Sequence, residues 1–268
     1  MSDAVIVALW QGESVPSDVM ATADAAKQVM SRAVAAGARL IIFPEGYLTG
    51  YFLPGLKPGD LGAVEPALSK VSASARALGI NVIIGTHLEE GGVLRNSVVA
   101  FDETGREAGR YHKRALFGNW EKSTFTPGTE PLRMTLAGLK LGVLICYDVE
   151  FPELVRKEAQ AGADLVVVCT ALMAPFQHIA RMLVPVRAME NQVFLAYANR
   201  SGSEGHEGAR LDFVGLSTLR GPTGEDIASA GSGSELLVAK ISPAAVGTAR
   251  AQDSYLADLR LLASPAQT

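Results

Sequence analysis

Gly142-Val143-Leu144-Ile145-Cys146-Tyr147-Asp148-Val149-Glu150-Phe151-Pro152-Glu153 is the stretch around which the chain is organised. Its apolar run, with Lys140 and Leu141 ahead of it, reads as a buried strand over residues 140–145. Phe151-Pro152-Glu153 reads as a helix start, because proline suits the first helical position and an acid beside it complements the positive end of the helix. Cys146 therefore falls at a sharp strand-to-helix turn, where a helix macrodipole would favour a thiolate. That is a nucleophile's setting. A core cysteine that merely ends a strand fits the same stretch, since free cysteine is among the most buried residue types.

Working outward, the sequence alternates helices with apolar strands. Strands are expected at 4–9, 40–43, 81–86, 97–101 and 109–113 in the first half, with helices at 19–36 and 66–78. The second half repeats the plan with a hairpin at 132–136 and 140–145, a helix at 152–161, a strand at 165–169, a helix at 179–191 and a strand at 194–199. Residues 114–128 show no period and read as a structured loop, as do 170–176. Beyond, hairpin-like pieces are expected at 213–219 and 236–241 around the Gly221-Pro222-Thr223-Gly224 turn. The tail from Ala249 is polar enough to be an arm. Ala35-Ala36-Gly37-Ala38-Arg39-Leu40 echoes Gln160-Ala161-Gly162-Ala163-Asp164-Leu165, each a helix end, a tight turn and a buried strand. Two similar halves imply an α/β protein with two sheets and helices outside them, in one domain, for no linker-like run separates them.

Composition narrows the function classes. Of 268 residues 48% are apolar, enough for a large core, yet no apolar run approaches the ~20 residues of a membrane helix. Residues 1–12 lack a basic leader and a cleavage site and read as a first strand, so a cytoplasmic protein is expected. A net charge of −4 leaves no electrostatic footprint for nucleic acid. Cys146 and Cys169 lie in different apolar strands, against a disulfide framework or a zinc site, and no metal is assigned.

A cysteine nucleophile needs a base. His87, His112, His178 and His206 all lack a convincing context, which leaves a Cys-His pair open but unsupported. Glu45 is the better candidate: it follows a short apolar strand and Pro44, where partial desolvation would raise its pKa toward the range useful for moving protons. Lys113, at the end of another strand, could face a developing oxyanion. Each residue alone also suits an ordinary surface pairing.

Together they carry more. Phe43-Pro44-Glu45, Tyr111-His112-Lys113 and Ile145-Cys146-Tyr147-Asp148 resemble, in that order, the motifs of the nitrilase (carbon–nitrogen hydrolase) superfamily. Glu121 in WEKSTFTPG (120–128) is similar to the family's second glutamate. Arg187-Ala188 with Glu190-Asn191 resembles its RA-x-EN helix, and Phe213, Gly215 and Ser217 its late F-x-G-x-S hairpin. The resemblance runs from the first strand to about Tyr255. It implies a four-layer α-β-β-α sandwich, assembly through helical faces into homodimers or larger oligomers with the tail from about 249 as an oligomerisation arm, and cofactor-free hydrolysis of a non-peptide C–N bond. By that analogy Glu45 is general base and acid, Cys146 the nucleophile, Lys113 and the Tyr147 N–H the oxyanion donors, and Glu121 a holder of Lys113 and substrate.

Tyr147-Asp148 departs from the Trp-Glu usual after a true nitrilase's cysteine, and CYDVEFPE, LFGNWEKSTFTPG and RAQDSYLADLR look most like bacterial aliphatic amidases of the R-stereoselective amidase and 5-aminopentanamidase group. That group carries an acid near Asn119 and an aspartate in place of Glu121. The resemblance implies a small aliphatic primary amide as substrate; nitrile or N-carbamoyl hydrolysis and a silent binding protein are the alternatives. Pocket walls are expected from Tyr51, Trp120, Tyr147, Leu172, Met173, Pro175 and Phe176, residues that could equally be plain core.

Overall fold

A computed structural model describes residues 4–206 and 208–263. The first half runs β1 (Val5–Gln11), α1 (Val19–Ala35), β2 (Leu40–Ile42), α2 (Val64–Leu78), β3 (Asn81–Glu90), β4 (Val93–Phe101) and β5 (Glu107–His112). A short helix, α3 (Gly118–Thr124), leads to β6 (Leu132–Leu136) and β7 (Leu139–Ile145), then a 3₁₀ turn (Cys146–Glu150), α4 (Pro152–Gln160) and β8 (Leu165–Thr170). A π-helical turn (Ile179–Leu183) opens α5 (Val184–Asn191), followed by β9 (Phe194–Asn199), β10 (Ser203–His206), β11 (Ala209–Asp212), β12 (Thr218–Arg220), β13 (Asp226–Ser229), β14 (Glu235–Ile241), α6 (Pro243–Gln252) and α7 (Tyr255–Ala263).

Two six-stranded sheets result, ordered β14-β1-β2-β3-β4-β5 and β13-β12-β9-β8-β7-β6. Each has three parallel strands at its centre, β1-β2-β3 in one and β7-β8-β9 in the other, flanked by antiparallel partners. Alternation along β2 shows how the layers are glued. Leu40 and Ile42 join the core shared with the second sheet, while Ile41 joins the core beneath α1 and α2. Strands buried on both faces must be apolar throughout, which is why Leu40-Ile41-Ile42 and Leu165–Thr170 read as unbroken runs. Ala23, Ala26, Met30 and Ala33 of α1 recur at helical spacing on that core, and Asp18 starts the helix by accepting the Ala21 N–H at 2.8 Å. The echoed turns both use glycine in the left-handed region, Gly37 at φ +82° and Gly162 at φ +92°. The α-β-β-α layering expected from the sequence is the fold observed.

Two local expectations are corrected and one unforeseen hairpin is added. Residues 114–128 contain a helix, α3, whose seven residues are too few to show a period. The helix expected over 179–191 begins as a π turn; Pro185 lacks the N–H that an unbroken α-helical ladder would use there. The polar hairpin β10–β11 has no apolar alternation to announce it. The tail also begins docked rather than free: Val246 and Ala249 are buried, and the Gln192 side chain donates to the Ala249 and Asp253 carbonyls at 2.9 and 2.6 Å. No helix among the described residues is long and apolar enough to cross a membrane.

Candidate active site

Glu45, Lys113 and Glu121 meet at the carboxyl ends of the central strands, fully buried. Lys113 Nζ donates to Glu45 Oε1 at 2.8 Å and to Glu121 Oε1 at 2.7 Å. Burial pulls the ammonium toward neutrality, but the two carboxylates outweigh it and leave its pKa above the ordinary lysine value. Glu121 is held from three further sides, by Tyr51 Oη at 2.8 Å, the Phe117 N–H at 2.6 Å and, more distantly, Asn96 Nδ2 at 3.5 Å. Asn96 Nδ2 also donates to Glu45 Oε1 at 2.7 Å. Glu45 Oε2, by contrast, is buried with no hydrogen-bond partner among the described residues. Burial and the neighbouring Glu121 charge raise the Glu45 carboxyl against the opposing pull of Lys113. One oxygen of this glutamate is thus anchored, and the other is free to take a proton.

The chain reaches this geometry through a close backbone approach. A Cβ at Gly85 of β3 would stand 2.1 Å from the Pro44 carbonyl oxygen and 2.7 Å from Glu45 Cα, so only glycine admits the Glu45 turn. Arg200, buried behind it, donates to the Gly46 carbonyl at 3.1 Å and pairs with Glu204. Glu204 in turn accepts from the Tyr51 and Phe52 N–H groups.

Cys146 sits at φ +43°, a left-handed conformation costly for any residue with a Cβ. Asp148 holds the turn. Its buried carboxylate accepts from the Ile145 N–H at 3.0 Å, the Ala115 N–H at 2.7 Å and Tyr111 Oη at 2.8 Å, tying the elbow to the segment that carries Lys113. Arg187 of α5 fastens the far end of the turn, donating to the Val149 and Glu150 carbonyls at 2.9 Å each. The RA-x-EN motif is therefore a brace for the elbow.

The expectation of a helix-stabilised thiolate is corrected. α4 begins only at Pro152, with the 3₁₀ turn between it and Cys146. Burial and the nearby Glu45 raise the thiol's pKa, and Lys113 with hydrogen bonds from Thr170 and the Ala171 N–H only partly oppose them. These surroundings favour the neutral thiol over the thiolate. Two of the histidines are engaged elsewhere: His87 contacts Thr49 and stacks on Phe125, and burial pushes its pKa down to about 3. His112 pairs with Glu90 and Ser97.

Cys146 opens into a narrow cavity of about 20 Å³. Tyr51, Tyr147, Leu172, Met173 and Phe176 line it as expected from the sequence, joined by Phe117, Glu150 and Ala171, which sequence reasoning missed. Trp120 and Pro175 do not line it. Trp120 packs edge-on against Tyr51, Phe52 and Phe125, backing the wall rather than forming it, and Pro175 is exposed. Asn199 fixes the wall loop by accepting the Leu172 N–H at 2.7 Å. Among the described residues no group of three or more His, Cys, Asp or Glu side chains could hold a metal ion.

Comparison with known proteins adds to this geometry. The sequence model of the carbon-nitrogen hydrolase family matches residues 6–251. An (R)-stereoselective amidase from a Pseudomonas species is 34% identical over 233 residues, covering 85% of this chain and 82% of that protein. The crystal structure of an amidase from Nesterenkonia sp. superimposes with a TM-score of 0.81 at 34% identity, over 94% of this chain and 95% of that one. A variant of that amidase, with a TM-score of 0.82 at 34% identity over 97% of each chain, carries the acetamide moiety of fluoroacetamide covalently added at its active-site cysteine.

Proposed function

The chain belongs to the carbon–nitrogen hydrolase family, and from that premise we propose that it hydrolyses a small aliphatic primary amide to a carboxylic acid and ammonia through a thioester on Cys146. The observation that carries this reading is the unpartnered, buried Oε2 of Glu45, whose carboxyl is near enough for its charge to act on the Cys146 thiol. A neutral thiol needs a base at the moment of attack, and Glu45 offers one free oxygen while Lys113 and Asn96 hold the other.

In this mechanism Glu45 Oε2 takes the Cys146 proton as the sulfur attacks the amide carbon. The C–S bond forms and the carbonyl becomes a tetrahedral oxyanion. Lys113 and the Tyr147 N–H, which opens the 3₁₀ turn, donate to that oxygen. Glu45 then returns its proton to the departing nitrogen, the C–N bond breaks, and ammonia leaves. Water enters, gives a proton to Glu45 and attacks the thioester; collapse of the second tetrahedral intermediate releases the acid and reprotonates the thiolate. Glu121 keeps Lys113 and Tyr51 in register throughout.

The test is ammonia release from short primary amides, the matching nitriles and N-carbamoyl amines, with Cys146→Ala alongside. Amide turnover that vanishes in the variant is the expected result. A dominant nitrile or carbamoyl rate, or full amide turnover by Cys146→Ala, overturns the proposal. We further propose that copies associate through the helical face bearing Met182, Val186 and Met189, which are exposed at 70%, 43% and 36%, with the tail from about 249 adding to it.

A further inference from the structure

Tyr51 lines the Cys146 cavity, and its hydroxyl donates to Glu121 Oε1 at 2.8 Å. It sits in residues 43–63, between β2 and α2, a segment with no strand or helix of its own to fix it. The backbone of that segment is gripped from the stretch that links β9 to β10. Arg200 donates to the Glu45 and Gly46 carbonyls at 3.4 and 3.1 Å. Glu204 accepts from the Tyr51 N–H at 2.9 Å and from the Phe52 N–H at 2.8 Å. The two side chains pair with each other, and Arg200 is buried. One ion pair therefore holds the segment twice, where it leaves Glu45 and where it delivers Tyr51.

The two ends differ in what else secures them. Near the start, the Glu45 N–H donates to the Thr170 carbonyl at 3.4 Å and the Leu48 N–H to the Gly85 carbonyl at 3.1 Å. The Tyr51 and Phe52 amides reach no carbonyl among the described residues; Glu204 takes both. Phe213 packs edge-on against the Tyr51 ring at 6.1 Å and lies beneath the Arg200 guanidinium at 5.0 Å, seating the pair against the ring it aims. Hydrogen bonds to an ionised acceptor are the strong ones, and a buried pair that loses one member leaves the other uncompensated.

We propose that Glu204, seated by Arg200, is a positioning residue for the hydrolysis: it sets Tyr51, and through the Tyr51 hydroxyl Glu121 and Lys113, where the amide carbonyl is polarised. The inference rests on the amide-hydrolase reading above. Glu204 does not line the cavity, so its influence passes through Tyr51. A misplacement of about 1 Å in such a group can cost about a hundredfold in rate.

The experiment measures kcat and KM for propionamide, and the rate of Cys146 alkylation by iodoacetamide, in wild type, Glu204→Gln, Tyr51→Phe, the double variant and Arg210→Gln. Glutamine keeps the stem, but its one carbonyl oxygen can face the two amides or Arg200, not both. Glu204→Gln should lower kcat roughly ten- to a hundredfold and change KM by less than about threefold. The double variant should fall no further than the slower single variant, because both lesions break one chain of contacts. Alkylation should show the same pattern. Arg210→Gln removes an exposed ion pair on β11 and leaves both rates as in wild type. If Glu204→Gln does not fold, Glu204→Asp carries the same cycle, since it keeps a charge beside Arg200 on a stem too short to serve both partners. Rates within about twofold of wild type, or factors that multiply in the double variant as independent lesions do, overturn the positioning role and leave the amidase standing. A wild type silent on every amide overturns the amidase reading, and the alkylation cycle then decides the role of Glu204.

Discussion

Replacing Glu121 by glutamine probes the charge balance on which the chemistry depends. Lys113 Nζ lies 2.8 Å from Glu45 Oε1 and 2.7 Å from Glu121 Oε1, so those two oxygens can be no more than about 5.5 Å apart. At an effective dielectric of about 20, two unit charges at that separation repel by about 3 kcal/mol. Glu121 is one of the influences that raise the Glu45 carboxyl. Its neutralisation leaves Lys113 to Glu45 alone, and the Glu45 pKa falls. Glu45 must be ionised to accept the thiol proton, so kcat/KM rises with pH through its pKa, and the acidic limb of the variant moves to lower pH. The stabilised carboxylate is also a weaker base. If about half of that 3 kcal/mol is felt in the transition state, kcat drops roughly tenfold. The assay is ammonia release from propionamide across the acidic and neutral range, with Tm followed beside it. An acidic limb that stays put or moves upward would refute the assignment of Glu45 as the base whose pKa Glu121 sustains.

Other perturbations test other parts of the site. Asp148→Asn leaves at least one of the Ile145, Ala115 and Tyr111 donors unpaired in the interior, which should cost about 1–3 kcal/mol in denaturant unfolding and lower kcat as the elbow loosens. Gly85→Ala forces its Cβ against Pro44 and Glu45, so turnover should collapse while circular dichroism keeps its α/β signature. Iodoacetamide, a neutral amide, should alkylate Cys146 faster than anionic iodoacetate, and peptide mapping should find the fully buried Cys169 unmodified. Met182→Glu should lower the mass measured by light scattering, because it places a charge on the most exposed apolar residue of the proposed helical face.

Much of the fold was legible because its strands are buried on both faces. Leu40–Ile42 and Leu165–Thr170 carry the only pattern such strands can have, Leu139–Ile145 departs from it only at Lys140, and the helices ahead of Leu40 and Leu165 stop at Gly37 and just before Gly162. Glu45 and Cys146 were legible because each follows a strand of that kind; Lys113 instead follows β5, an edge strand of mixed exposure, and was read from its place at the strand's end. What stayed hidden depends on contacts between strands. Asn96 lies in β4 opposite His87, and nothing in its own stretch announces that its amide will reach Glu45. Gly85 gives a fainter sign, a glycine inside an apolar strand, which often marks another backbone passing close by. Glu150 carried no signal of its own between the strand and the helix start at Phe151-Pro152-Glu153; the intervening 3₁₀ geometry is what puts it on the cavity wall.

The correction to Cys146 changes how the site should be thought of. A thiolate pre-formed by a helix dipole would be nucleophilic at all times and open to oxidation and stray alkylation. Here burial and the Glu45 charge keep the proton on sulfur. The carboxylate that opposes ionisation by its charge is also the group proposed to accept the proton, and in that mechanism transfer removes the repulsion in the same step. Once the proton reaches Glu45, the sulfur faces Lys113 and the Thr170 and Ala171 donors with no adjacent anion on Glu45. The negative charge then passes from sulfur to the substrate oxygen, where Lys113 and the Tyr147 N–H are proposed to meet it. A pH-independent preference for neutral over anionic alkylating agents at Cys146 is what this coupling demands; a reactive thiolate in the free enzyme, seen as fast iodoacetate labelling at neutral pH, would show that sulfur and carboxylate do not share one proton.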